Sequence, residues 1–396
     1  MYQRIKLDVE QKTRSNPFAW RGQFTPELIE YFLKTHYHPG MFIADPFSGS
    51  GTLLYEALKF DANAVACELN PSAYAMSKFF ELGNISVEDR QKLCQNLKTN
   101  NSPTEFQASQ SVFNPAEKDY RKAYYSLINF AKDAINSCNS KKEIVLLLNV
   151  LFKMEGHKKK KLGQSWEKAF FEISEFLYSL PESNSKIFSY LSDARMFDKK
   201  APKSVDLVIT SPPYINVFNY HQNHRIIMEL FDFDMLEIAR SEFGSNRKNR
   251  GNRYLTVIQY CIDMAQALNS IKKTLNPNAE LIMIVGRESN VKKTPFYNGN
   301  IIEDIATKTG LFVLKHRTER CFLNKFGKKI FEDVLLLHPN ISCLNIENIS
   351  RNIASDHLKN AFIIAPSESK NDLIQAIEAI DTVDHSPIFQ YRKKNE

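Results

Sequence analysis

Asp206-Leu207-Val208-Ile209-Thr210-Ser211-Pro212-Pro213-Tyr214 is an apolar, β-branched run that stops abruptly at two prolines and an aromatic residue. The spacing predicts a short buried strand over 205–210, because proline cannot donate to a ladder and sits only just beyond such a strand. The prolines hold Thr210 and Ser211 extended, so a hydroxyl, a carbonyl and a ring leave the sheet edge in rigid geometry. In an open α/β sheet, ligands bind at the carboxyl ends of the strands. Taken alone, the stretch also reads as a Pro-Pro turn or a polyproline ligand.

The second half of the case lies upstream. Met41-Phe42-Ile43-Ala44 is another short apolar run, and it leads into Asp45-Pro46-Phe47-Ser48-Gly49-Ser50-Gly51-Thr52. A helical pattern follows, with Leu53, Leu54, Ala57 and Leu58 on one face. Strand, glycine-rich turn and helix make a nucleotide-type cofactor site, in which glycines allow close backbone approach and the helix start offers free N–H groups. The spacing is neither the dinucleotide Gly-x-Gly-x-x-Gly nor the Gly-Lys-Ser/Thr of a phosphate loop. A second short strand is expected over 64–67, ending at Glu68, where a carboxylate can accept from both hydroxyls of a ribose.

The loop Asp-Pro-Phe-Ser-Gly-Ser-Gly-Thr followed by Thr-Ser-Pro-Pro-Tyr resembles the DNA methyltransferases that modify exocyclic amino groups using S-adenosyl-L-methionine (AdoMet), as found in restriction-modification systems. Two further stretches fit in consistent order. Gln23-Phe24-Thr25-Pro26-Glu27-Leu28 looks like the segment that closes over AdoMet, and Ser192-Asp193-Ala194-Arg195 looks like the acidic turn on the cofactor adenine. The resemblance covers about 15–80 and 186–340. It implies an α/β, Rossmann-like AdoMet-dependent methyltransferase sheet with AdoMet as cofactor. It also implies a cofactor site made of Phe24, Thr25, Asp45, Pro46, Phe47, Ser48, Gly49, Gly51, Thr52, Glu68, Asn70, Asp193 and Ala194.

The same resemblance makes Ser211, Pro212, Pro213 and Tyr214 the catalytic loop. An exocyclic amine is a poor nucleophile, because its lone pair is delocalised into the ring. Acceptors on its hydrogens, the Ser211 hydroxyl and the Pro212 carbonyl, would stabilise the positive charge that develops on nitrogen. Tyr214 would stack on a base extruded from the duplex. Ser-Pro-Pro-Tyr is more typical of cytosine-N4 enzymes, whereas adenine-N6 enzymes more often carry Asp or Asn before the prolines. N4 of cytosine is therefore the expected target, with N6 of adenine the alternative. Two other classes compete with this reading: an RNA- or protein-directed methyltransferase, and a catalytically idle DNA-binding protein. No recognisable RNA-binding module precedes the core, which argues against the first. Intact Asp45, Gly49, Gly51, Glu68 and Ser-Pro-Pro-Tyr argue against the second.

The chain has 396 residues, 43% hydrophobic and 24% charged, as in ordinary globular proteins. No run approaches the roughly eighteen apolar residues of a membrane span, and Met-Tyr-Gln-Arg-Ile-Lys-Leu is no signal-peptide core, so a cytoplasmic protein without a membrane partner is expected. Six cysteines lie scattered without a Cys-x-x-Cys pair, which speaks against zinc and against a disulfide framework. Cys94, in a polar helical stretch, reads as structural rather than as the thiolate that carbon-5 cytosine methylation needs. The net charge is only +7, but Lys158-Lys159-Lys160-Lys161 and Arg247-Lys248-Asn249-Arg250-Gly251-Asn252-Arg253 concentrate it. Either cluster can be a solvated loop or a phosphate contact. Arg247, Lys248, Arg250 and Arg253 are taken as contacts to double-stranded DNA, with Asn216, Asn219 and Tyr220 as base-reading candidates. A cognate restriction endonuclease, without a stable complex, completes the expected partners.

About a hundred residues separate the second strand's helix from the next strand, expected over 186–191. The catalytic domain is thus divided into 1–82 and 186–339, with a helical insertion at 83–185 and an extension at 340–396. The insertion is either a target recognition region or a cap lengthening the DNA cleft. Trp20 either covers the cofactor or packs on the core edge. A strand over 280–285 and a hairpin of 311–315 with 330–337 close the sheet.

Overall fold

The run ending at the two prolines is a central strand. In the computed structural model, which describes residues 4–9, 12–101, 120–157, 161–215, 219–245, 249–324, 327–341 and 345–390, nine strands form. They are β1 (Phe42–Asp45), β2 (Asn63–Glu68), β3 (Ile187–Leu191), β4 (Val205–Thr210), β5 (Leu275–Gly286), β6 (Glu288–Val291), β7 (Thr294–Tyr297), β8 (Phe312–Leu323) and β9 (Lys329–Pro339). Seven of them make one sheet in the order β3-β2-β1-β4-β5-β9-β8, while β6 and β7 form a separate hairpin. β3, β2, β1, β4 and β5 run parallel. β9 is antiparallel to both of its neighbours. Strand order reverses between β1 and β4, the point at which an open α/β sheet opens a crevice at its carboxyl edge.

Successive strand residues feed two cores. Ile43, Leu207, Ile209, Ile282 and Ile284 pack on one face, with Leu28, Leu53 and Met76 from the helices Pro26–His36, Thr52–Lys59 and Pro71–Phe79. Ala44, Val208, Leu281, Met283 and Val285 pack on the other, with Ile258, Ile305 and Leu358 from the helices Leu255–Lys272, Asn298–Lys308 and Ile346–Ile364. The 340–396 extension thus supplies part of the second core. The insertion folds as the helices Val87–Asn100, Tyr120–Ser137, Lys141–Glu155 and Leu162–Ser179. Its Leu127, Leu147 and Trp166 join the first core.

The sheet differs from expectation at its edge. β5 begins at Leu275 rather than at 280, and β8 runs on to Leu323. The added part of β8, His316 to Leu323, is largely polar, and charge pairing holds it. Arg320 and Glu332 are register partners joined at 3.0 Å, and Arg317 bridges Glu303 at 2.8 Å and Asp333 at 3.0 Å.

Candidate active site

Asp45 ends β1 fully buried. Its Oδ1 accepts from the Thr210 hydroxyl at 2.6 Å and from the Phe47 N–H at 3.0 Å. The first bond joins the ends of β1 and β4, so the glycine-rich loop and the Ser-Pro-Pro-Tyr loop share one anchor. Burial pushes the Asp45 carboxyl up to about 7, and its Oδ2 has no hydrogen-bond partner among the described residues. The loop then folds onto β2. Ser48 N–H donates to the Cys67 carbonyl at 3.0 Å. The Glu68 carboxylate accepts the Gly49 and Asn70 N–H groups at 2.8 Å each. Burial raises the Glu68 carboxyl to about 7 as well.

The two glycines do different work. Both have positive φ, +51° at Gly49 and +80° at Gly51. A Cβ on Gly49 would lie 3.0 Å from Trp20 Cδ1, whereas one on Gly51 would lie 2.7 Å from the Ser77 Cα. Gly51 is therefore demanded by packing against the helix Pro71–Phe79, not by approach to a ligand. Residues 13–24 are tied over the same loop. Asn16 Nδ2 donates to the hydroxyls of Ser50 and Thr52 at 3.2 and 3.1 Å, and the Ser50 hydroxyl donates to Gln23 Oε1 at 2.7 Å. Trp20, 9% exposed, stacks on Tyr220 with centroids 5.8 Å apart. It both packs on the core and walls the cleft.

That cleft lies at the carboxyl edge of the sheet and opens to solvent. It brings together Phe24, Pro46, Phe47, Ser48, Gly49, Glu68, Asn70, Asp193, Ala194, Ser211, Pro213 and Tyr220, all expected from the sequence. Thr25, Asp45, Gly51, Thr52, Pro212 and Tyr214 are not among the lining residues. The Tyr214 ring lies against Gly286, where an added Cβ would come 2.6 Å from its Cε2. Its hydroxyl is 3.3 Å from Ser211 Oγ and 3.5 Å from Glu332 Oε1. The Pro213 carbonyl accepts from Tyr260 at 3.0 Å. Sequence reasoning missed Glu242 and Phe243, which also line the cleft. Phe243 meets Phe47 edge-on at 5.6 Å, and Glu242 accepts from the backbone N–H of buried His221 at 2.6 Å. Their turn has no local motif, and only tertiary contact reveals it.

The family model for DNA methylases matches residues 4–79, the stretch that holds Asn16, Trp20, the glycine-rich loop and Glu68. The Type II methyltransferase M.MjaII of Methanocaldococcus jannaschii is 24% identical over 434 aligned positions, which span 79% of this chain and 78% of that protein. Both matches support a DNA amino-methyltransferase. Solved structures match weakly. TrmN from Thermus thermophilus is 15% identical, over 81% of this chain and 50% of TrmN, at a TM-score of 0.33. A SAM-dependent methyltransferase from Methanosarcina mazei is 8% identical, over 78% of this chain and 98% of its own, at 0.36. The fold assignment rests on the strand order, not on these two.

The cofactor of the methyltransferase is AdoMet, and the cleft suits it. Glu68 offers carboxylate lone pairs, and the buried Asn70 Nδ2 has no partner among the described residues. Phe47, Ala194 and Phe243 supply apolar walls. Asp193 is less free than expected, since both of its oxygens bind Arg195. Of the expected DNA contacts, Asn219 and Arg250 are exposed. Arg253 is half-buried, and burial lowers its pKa. Asn216, Arg247, Lys248 and Lys158 to Lys160 lie outside the described residues. Among the described residues, no group of His, Cys, Asp and Glu is placed to hold a metal ion, and no helix is long and apolar enough to cross a membrane.

Proposed function

We propose that this methyltransferase moves a methyl group from AdoMet to N4 of cytosine in double-stranded DNA. One observation carries the reading: Ser211 lines the same cleft as Gly49, Glu68 and Asp193, so an amine acceptor and a nucleoside-type site share one space. When bound, AdoMet supplies an electrophilic methyl group on a positively charged sulfur. Glu68 accepts the ribose hydroxyls, and Asp193, Ala194 and Phe47 receive the adenine. The Ser211 hydroxyl and the Pro212 carbonyl accept the amine hydrogens, which localises the nitrogen lone pair and stabilises its developing charge. Tyr214 is the ring on which the extruded base stacks in this reading. Much of the acceleration comes from holding two substrates in line. Burial pushes the Cys67, Cys94 and Cys261 thiols up, the wrong direction for a nucleophile.

The cytosine preference rests on Ser211, a neutral acceptor where Asp or Asn would stand in most adenine enzymes. A cytoplasmic location and a cognate restriction endonuclease without a stable complex belong to the same proposal, and they rest on the restriction-modification resemblance of the loops alone. The test is nucleoside mass spectrometry on genomic DNA from a methylation-free host expressing the chain. N4-methylcytosine is expected. N6-methyladenine alone overturns the choice of base, and unmodified DNA beside methylated RNA or protein overturns the substrate.

A further inference from the structure

Arg195 follows the Asp193-Ala194 turn of the cleft, and its side chain is 1% exposed. A guanidinium has five N–H groups, and here each has an acceptor. Nε donates to Asp193 Oδ1 at 2.9 Å, and Nη2 donates to Asp193 Oδ2 at 2.5 Å and to the Pro387 carbonyl at 2.9 Å. Nη1 donates to Asp263 Oδ1 at 2.9 Å and to the Ser386 carbonyl at 2.6 Å. The same distant segment also serves Asp263: the Ser386 N–H donates to Oδ1 at 2.9 Å and its hydroxyl to Oδ2 at 2.6 Å. Gln259, one turn away on the same helix, donates to the Asp384 carbonyl at 3.1 Å. Above the guanidinium, at 5.1 Å, lies the ring of Phe243, a wall of the cleft.

One buried cation thus stands between two buried carboxylates, and segment 384–387 supplies the remaining partners of both Arg195 and Asp263. Without that segment, two guanidinium N–H groups lose their acceptors and Asp263 loses both donors outside Arg195. Buried groups left in that state are costly, so the turn must open to hydrate them. Asp193 and Phe243 would then lose their fixed positions.

We propose that segment 384–387 is part of the AdoMet site: it fixes Arg195, and through Arg195 the Asp193-Ala194 turn, so that its seating and cofactor binding are coupled. This rests on reading the cleft as the AdoMet site. Arg195, Asp263 and Ser386 are positioning residues, because none of them lines the cleft. Coupling of this kind is reciprocal and typically amounts to about 5- to 150-fold in affinity.

Calorimetry with AdoMet on the unaltered chain, on a chain ending at Val383 and on Ser386→Ala provides the first test. Affinity should fall within that range for the shortened chain and by less for Ser386→Ala. Hydrogen exchange on the unaltered chain provides the second, and it holds even if the shortened chain does not fold. AdoMet should slow exchange at the Ser386 amide beyond any slowing of the β8 amides. Equal affinity in both chains, or Ser386 exchange indifferent to saturating AdoMet, overturns the coupling. An unaltered chain that does not bind AdoMet overturns the site reading instead.

Discussion

Gly51 and Gly49 lie two positions apart in one loop, yet substitution should act through different neighbours. Gly51→Val brings left-handed backbone strain of about 1–3 kcal/mol and a clash with the Ser77 backbone. The expected outcome is a lower melting temperature before any effect on AdoMet is measurable. Ser211→Ala should slow single-turnover transfer on the order of 10²-fold with AdoMet affinity unchanged, because the lost acceptor matters in the transition state. Glu68 makes a pH prediction. Its carboxyl sits at about 7 in the free protein, and ribose hydroxyls bind the deprotonated form. AdoMet must then expel a proton below that value. Affinity should be full at higher pH and fall by up to about tenfold per unit as pH drops. Calorimetry at pH 6 and pH 8 checks this, and equal affinities would remove Glu68 from the ribose.

Arg90 shows how an element is held where the sequence signals only a polar helix. It is fully buried and donates solely to carbonyls: Leu82 and Ile85 through Nε, Leu177 and Leu180 through Nη1, Gly83 and Pro181 through Nη2. These carbonyls come from both ends of the insertion, so one side chain staples its entry to its exit. The carbonyls of Leu177 and Leu180, at the end of the helix Leu162–Ser179, also carry the favourable sign of the helix dipole. Arg90→Met leaves several of them buried and unpaired, at about 1–3 kcal/mol each. The substitution should cost at least one such increment in denaturant unfolding. A loss below that would show the carbonyls find other donors.

The insertion shares the first core with the sheet, and the 346–378 helices share the second, so the catalytic edge is braced from both sides. Net charge of +7 is too small to bind DNA through the average surface, and phosphate contact must be local. If Arg247, Lys248 and Arg250 each meet a phosphate, neutralising them should reduce the slope of log affinity against log salt by about 0.9 per contact. Filter binding across a salt series checks this, and an unchanged slope would place the phosphates elsewhere.

Sequence by itself determined the parallel strands β1 to β4, the glycine-rich loop, Glu68 and the Ser-Pro-Pro-Tyr loop. Each is written in consecutive residues whose backbone needs are local: β-branched runs, a positive φ, a proline after a strand. Tertiary structure alone decided that Thr210 hydrogen-bonds Asp45 across the switch point, that Phe243 walls the cleft, and that Arg90 binds the ends of the insertion together. It also decided that Arg195 answers to residues 191 positions away. Buried polar groups find their partners wherever the folded chain brings a donor or acceptor within about 3 Å. That condition leaves no periodicity in the chain, so only the folded molecule shows how it is met.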